Sequence, residues 1–144
     1  MSSIEYIYRQ LQNLFPPPED SKVSDSSILE LVKDESDHRF EHLASHIIQL
    51  RRTGVSSDCL HVMKSPIYLY LLARTIYEKS LDDPGRLKDR LHCLNKAING
   101  CSIYFKVKMP RTFFLNYASN VVLGDCAYGE NLIIYQGVTV GAYR

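Results

Sequence analysis

Three histidines spaced four apart, His38, His42 and His46, are the first residues whose types and spacing suit chemistry. Imidazoles at i and i+4 stack along one side of a helix and can chelate one metal ion from it. The neighbouring apolar residues Phe40, Leu43, Ile47 and Leu50 argue for another use. At ~100° per residue the histidines centre ~130–170° away from that stripe, facing water or a partner subunit, and no metal is expected. Cys59, Cys93, Cys101 and Cys126 are separated by 34, 8 and 25 positions. Those gaps match neither a zinc spacing nor a dense disulfide framework, so the cysteines read as buried free thiols. Arg86, Lys88 and Arg90 alternate with Asp82, Asp83 and Asp89, the pattern of a solvated helix face and not of a phosphate site.

The composition narrows the function classes. With 17 Lys+Arg against 16 Asp+Glu and a net charge of +1, no basic excess exists to hold a nucleic-acid backbone. The longest apolar run, Ile67 to Ala73, is seven residues, too short for a bilayer span, and Glu5 interrupts the position of a signal peptide's apolar stretch. The chain therefore reads as cytoplasmic, with neither a membrane nor a nucleic acid as partner. At 45% apolar and 23% charged residues it has the composition of a folded domain.

Two architectures meet along the 144 residues. Positions 1–109 hold 29 of the 33 charged side chains, whereas 110–144 hold only Arg111, Asp125, Glu130 and Arg144 together with four of the seven glycines. In the first part Ile4, Ile7, Tyr8 and Leu11 recur at helical spacing until Pro16-Pro17-Pro18 stops them, and a loop follows over about 16–26. Ser27-x-x-Glu30 reads as a capping box ahead of Ile28, Leu31 and Val32, and Arg51-Arg52-Thr53-Gly54 as a helix C-terminus. Ser65-Pro66 and Asp83-Pro84 each place a capping side chain before a proline at the first helical position, opening helices over about 66–80 and 84–98. The second carries Leu87, Leu91, Leu94 and Ile98 on one face, with Gly100 just past its end. The run Ile67–Leu72 covers too much of a helix circumference for one buried face and suits a core or subunit contact.

After Cys101 the helical period gives way to short runs rich in Val, Ile, Phe and Tyr: Ile103–Val107, Phe113–Leu115 and Val121–Leu123. Aligned in sixes, VLGDCA, YGENLI, IYQGVT and VGAYR place Val122, Tyr128, Ile134 and Val140 in one column and Cys126, Leu132 and Val138 in another. A hexad repeat suits a parallel β-helix, in which each flat face takes one hexad and one residue per hexad points into a narrow interior.

The segment FFLNYASNVVLGDCAYGENLIIYQGVTVGA resembles the first coils of serine O-acetyltransferases, a family of hexapeptide-repeat acyltransferases. The matching elements are Asn116-Tyr117-Ala118, Val121-Val122-Leu123-Gly124 and Gln136-Gly137-Val138-Thr139-Val140-Gly141. The resemblance covers about 65–144, and extends to residues 1–64 only in their being helical. It implies an α+β fold: a helical domain over 1–100, then the start of a left-handed parallel β-helix over 101–144, about two coils. It further implies acetyl transfer from acetyl-CoA, a cosubstrate and not a tightly bound cofactor, to the hydroxyl of serine in cysteine biosynthesis. A homo-oligomer built on threes goes with it.

The family's general base is a histidine, because a serine hydroxyl attacks a thioester slowly unless its proton is removed as the bond forms. By the resemblance Tyr117 stands at that histidine and Asn116 at the preceding aspartate, while Lys106–Pro110 lacks the acidic residue that would orient the imidazole. Phenols ordinarily titrate near ~10, so a tyrosine donates a hydrogen bond but makes a poor base at neutral pH. Asp58 is the nearest match to the family's substrate-binding aspartate, offset by one position, and reads more readily as a helix cap after Ser56-Ser57. Ala142 and Tyr143 fall where the family begins to touch CoA. Two coils without a cap fall short of the three or more units that repeat folds need, so the sequence reads as a C-terminally truncated relative or a fragment. Two further readings stay open: an O-acetyltransferase acting on a sugar or other small hydroxyl acceptor, and a non-catalytic oligomerisation module.

Overall fold

The computed structural model describes residues 1–141. Helix α1 (Ser3–Leu14) starts at a reciprocal capping box, in which the Glu5 amide donates to Ser2 Oγ at 3.2 Å and the Ser2 amide to Glu5 Oε2 at 2.8 Å. Helix α2 (Asp25–His46) is one 22-residue helix that buries Ile28 and Val32 of the first stripe and Phe40 and Leu43 of the second, while Leu31 is exposed. Its cap is Ser24, whose Oγ accepts from the Ser27 amide at 3.1 Å, so Ser27 lies inside the helix and the expected capping box with Glu30 does not form. Extended backbone at Ile47 ends α2 and leads into the single turn α3 (Ile48–Arg51), while Ile47 and Leu50 both remain buried.

Helix α4 (Ser65–Glu78) opens with Pro66 in its first turn, but Ser65 is helical and Lys64 takes the cap position without a side-chain cap bond. Every residue from Ile67 to Ala73 is buried, which makes α4 the central helix of the core. Helix α5 (Leu87–Asn99) begins three residues later than the proline rule predicts. Arg86 is left-handed (φ 55°), which breaks the helical path after Pro84, and Asp83 reaches across the turn to accept from the Leu87 and Lys88 amides at 2.6 and 3.0 Å. Leu87, Leu91 and Leu94 are buried while Ile98 is partly exposed, and Gly100 closes the helix at φ 65°.

The charges of this region are sorted differently from the solvated face expected of them. Arg90 is buried and makes a two-pronged pair with buried Asp25. Its Nη1 also donates to the Phe15 carbonyl at 3.1 Å and its Nε to the Gly85 carbonyl at 2.8 Å, while Gln12 donates to Asp25 Oδ2 at 3.1 Å. One guanidinium thus joins the end of α1, the start of α2, the 82–86 turn and α5.

Five short strands follow: β1 (Cys101–Ile103), β2 (Phe113–Asn116), β3 (Val121–Leu123), β4 (Leu132–Tyr135) and β5 (Thr139–Val140). They form two sheets, ordered β1-β3-β5 and β2-β4, and among the described residues every pairing is parallel. The chain visits the two sheets alternately and so winds as a coil, as the hexads led us to expect, in place of hairpins. The rungs are less regular than a strict repeat: Cys101 pairs with Val121, Phe113 with Leu132 and Val122 with Thr139, offsets of 20, 19 and 17.

The proposed column is corrected accordingly. Val122 is 44% exposed, because its neighbours Val121 and Leu123 turn inward and successive strand residues face opposite sides. Leu123 registers with Val140 and Leu115 with Ile134, so the six-residue frame holds for Tyr128, Ile134 and Val140 and slips by one before them. Cys126 of the second column is exposed, as is Cys93; only Cys59 and Cys101 are the buried thiols expected, and burial pushes each up to about 12. The predicted strand over 103–107 ends at Ile103, since Val107 donates back to the Tyr104 carbonyl in a turn. That turn is clamped to α4. Tyr70 Oη donates to the Val107 carbonyl at 2.6 Å and accepts from the Met109 amide at 3.2 Å, and Arg74 Nη1 donates to the Phe105 and Lys106 carbonyls at 3.0 Å.

Removing one member of a buried ion pair leaves the other without its partner in a low dielectric. Arg90→Ala is expected to lower stability by about 3–5 kcal/mol, whereas Asp25→Leu combined with Arg90→Met recovers most of that loss; urea unfolding of the two variants checks both values.

Candidate functional site

Tyr117 sits at the corner that follows β2, with its side chain 54% exposed and its backbone left-handed at φ 59°. The corner is held from three sides. Ala118 is buried and its carbonyl accepts from the Val121 amide at 3.0 Å; the Ser119 carbonyl accepts from the Gly137 amide of the next rung at 2.9 Å. Gly100 lies against the same backbone so closely that a Cβ there would stand 3.3 Å from the Asn120 nitrogen. Among the described residues the other left-handed positions of the coil are Asn120, Asn131 and Gly137, residue types that tolerate this region. A bulky aromatic at such a corner departs from that rule, and departures of this kind cluster where a side chain must be presented.

Asn116 ends β2 on the outer side of the sheet, opposite in sense to buried Leu115, and registers beside Tyr135 of β4. Tyr135 is 56% exposed, and Ile133, two residues earlier on the same strand face, is 51% exposed. Asn116 and Tyr135 therefore lie side by side, with exposed Tyr117 at the adjoining corner, offering a carboxamide and two phenols. These groups donate and accept hydrogen bonds, but none is an imidazole or a carboxylate. No spacing in the sequence points to Tyr135; the rung offset of 19, which the sequence does not display, pairs it with Asn116.

Asp58 lies elsewhere, in the loop between α3 and α4. Its Oδ1 accepts from the Leu60 amide at 2.9 Å in a local turn; no helix starts there, so it is not the helix cap expected after Ser56-Ser57. It borders a polar cleft of about 480 Å³ near the start of α1, together with Ser56, Ser57, Lys64 and Tyr68. Neither Asn116 nor Tyr117 lines that cleft. At its base the buried ammonium of Lys64 is caged by the Thr53, Gly54 and Ser56 carbonyls at 3.1, 2.7 and 3.2 Å. Burial lowers its pKa and Asp58 opposes the shift. Ala142 and Tyr143 lie outside the described residues.

The histidines belong to the helical part. His38, His42 and His46 lie on α2, and His42 and His46 pack ring to ring at 4.5 Å. Among the described residues no cluster of three His, Cys, Asp or Glu side chains is arranged to hold a metal ion. His92 on α5 places Nε2 3.1 Å from Ser102 Oγ of β1, and burial, reinforced by Lys96 against Asp89, lowers its pKa. The pairing spans ten residues, and no helical or strand periodicity would reveal it.

Comparison with known proteins fits this architecture. No protein-family model matches the chain. Over 76 residues, 52% of its length, the chain is 29% identical to a serine acetyltransferase of Staphylococcus epidermidis, 30% to that of Staphylococcus xylosus and 28% to that of Bacillus pumilus. Each match takes in 34% of the relative, so the aligned part of the chain spans about a third of the length of the curated relatives it matches. The chain is similar to serine acetyltransferases over about half of its residues. No described helix is long and apolar enough to cross a membrane.

The left-handed corner yields a direct test. Asn replaces Tyr at a position where Tyr makes no hydrogen bond among the described residues, and Asn adopts this backbone more readily. Tyr117→Asn is expected to raise stability by about 0.5–1 kcal/mol, measured as an upward shift of the urea midpoint at unchanged slope.

Proposed function

We propose that this chain carries the helical domain (1–100) and first coils (101–144) of an acetyl-CoA-dependent O-acetyltransferase of the serine acetyltransferase type, and that its own catalytic power is deficient. The observation that supports this best is a parallel coil that follows a helical part in a chain similar to serine acetyltransferases. In this reading the coil is a left-handed hexapeptide β-helix, the acceptor is serine on the way to cysteine, acetyl-CoA is the cosubstrate, and the protein works in the cytoplasm. Copies associate in threes, with the exposed Tyr117, Ile133 and Tyr135 edge turned toward a neighbour.

The chemistry defines what each position must do. The acceptor oxygen attacks the thioester carbonyl, the C–S bond breaks, and the proton lost by the hydroxyl ends on the CoA sulfur. A base beside that hydroxyl contributes ~10²–10⁴-fold. Tyr117 at the corner and Asn116 at the strand end supply hydrogen bonds for orientation but no proton acceptor suited to neutral pH. Asp58 is assigned to the acceptor and Ala142 and Tyr143 to CoA.

The same deficit favours a second reading, a non-catalytic module that assembles with itself or with an intact relative. Thiol release from acetyl-CoA in the presence of serine separates the two, because residual turnover above the uncatalysed rate belongs only to the first. The purified chain is expected to turn over at least ~10²-fold more slowly than an enzyme with its base in place, and Tyr117→Phe is expected to change nothing. Robust turnover that collapses in Tyr117→Phe would make the phenol a participant and overturn the deficiency.

A further inference from the structure

The histidine ladder of α2, which the acetyl-transfer reading leaves unused, borders a second cleft. This cleft, of about 290 Å³, lies between α2, α4 and the segment 108–113 that leads into β2. Its floor is apolar: Leu71, Met109 and Phe113 line it and are each buried. Its rim is cationic, with Arg39 from α2, Arg74 from α4, and Lys108 and Arg111 from the connecting segment.

The charges do not cancel. Glu78 is the one carboxylate in the lining, against four cations. It is already shared, accepting from Arg39 at 2.5 Å and from Arg74 at 2.7 Å, and although burial opposes the shift these two guanidiniums hold its carboxyl below the usual range. From outside the lining Glu35 also pairs with Arg39 at 2.7 Å, and Glu130 accepts from the Arg111 and Thr112 backbone amides at 3.0 and 3.1 Å, but among the described residues the side chains of Lys108 and Arg111 have no carboxylate within ion-pair reach. A concave, partly apolar wall focuses the field of such a surplus into the cleft. His42, on the same rim, feels it: its pKa is lowered by burial first, then by Arg111, His46 and His38, with Glu130 opposing.

We propose that this cleft binds a small oxyanion carried on an apolar body, a carboxylate or phosphate monoester whose charged group meets Lys108 and Arg111 while its body lies on Met109 and Phe113. The dimensions suit a single ring or a short aliphatic chain, and a planar guanidinium such as Arg111 matches either oxyanion by paired hydrogen bonds. Binding also draws in a proton. An anion offsets the repulsion that His42 receives from Arg111, beside the rim cations Arg39, Arg74 and Lys108 and the carboxylates Glu78 and Glu130, so the imidazole's pKa rises and affinity increases as pH falls through the histidine range. This site is independent of the acetyl-transfer reading, and its failure would leave that reading intact.

Calorimetric titration with four probes tests it: benzoate, phenyl phosphate, benzyl alcohol and inorganic phosphate. Benzoate or phenyl phosphate is expected to bind saturably, more tightly at pH 6 than at pH 8, with the neutral alcohol and bare phosphate each at least ~10-fold weaker. Arg111→Gln and Lys108→Gln, both at exposed positions, are each expected to weaken the better probe by about 10-fold, while Arg86→Gln, a cation outside the cleft, leaves it unchanged. The His42 ring resonances report the proton uptake directly, as an upward shift of their titration midpoint when probe is present. No saturable binding of either organic anion up to ~10 mM, equal binding of the alcohol or of bare phosphate, or insensitivity to both substitutions would overturn the assignment.

Discussion

The guanidinium of Arg90 is the point on which the helical part is assembled. A charge removed from water is tolerated only where partners replace its hydration, and here Asp25, the Phe15 carbonyl and the Gly85 carbonyl supply them from three separate stretches of chain. Each of those partners must arrive in place for the others to be satisfied. The three-proline segment after α1, the cap of α2 and the displaced start of α5 are therefore fixed together, and α4 fills the space they enclose with a side chain on every face. The pairing adds little net energy beyond what an apolar replacement would, but it penalises every arrangement in which one partner is missing.

The coil depends on this body through a second set of polar ties. Tyr70 and Arg74 of α4 hold the carbonyls of the 105–107 turn, and Gly100 lets the end of α5 lie against the 119–120 corner. The first rung is built on a rigid support, and Tyr117 inherits its position from that support more than from the short strand before it. The pair Asn116 and Tyr135, with Tyr117 at the adjoining corner, is the result: three side chains with little packing of their own, presented by a backbone that has little freedom.

Much of this was legible from residue types. The switch from helical to strand periodicity near Cys101, the C-terminal glycine at Gly100, the all-round burial of Ile67–Leu72 and the parallel winding of the tail followed from spacing alone. What spacing did not reveal has a common cause, in that it depends on side chains meeting across long separations. Arg90 sits in a run of alternating charge that looks solvated until Asp25, 65 residues away, is brought to it. Ser65 and Asp83 both precede prolines, yet the left-handed Arg86 delays one helix and the caged Lys64 precedes the other. Hexad alignment placed Val122 inside because it assumed equal coils, and rungs of 20, 19 and 17 residues move the frame by one. At the candidate site Asn116 and Tyr117 were reachable through resemblance, whereas Tyr135 needed the register and the cleft beside Lys108 and Arg111 needed three segments in one place.

The unequal rungs also say how the coil must form. Each parallel pairing joins residues about 20 apart, so each must close a loop of nearly constant entropic cost, about 2–3 kcal/mol, before its two to four hydrogen-bonded positions reward it. No rung can nucleate on its own, because its neighbour is its only template. β1 lies against α5, and each later strand pairs with the one two places before it, β3 with β1, β4 with β2 and β5 with β3. Strands delivered in chain order, as by a ribosome, would each find their pairing partner already present from β3 onward.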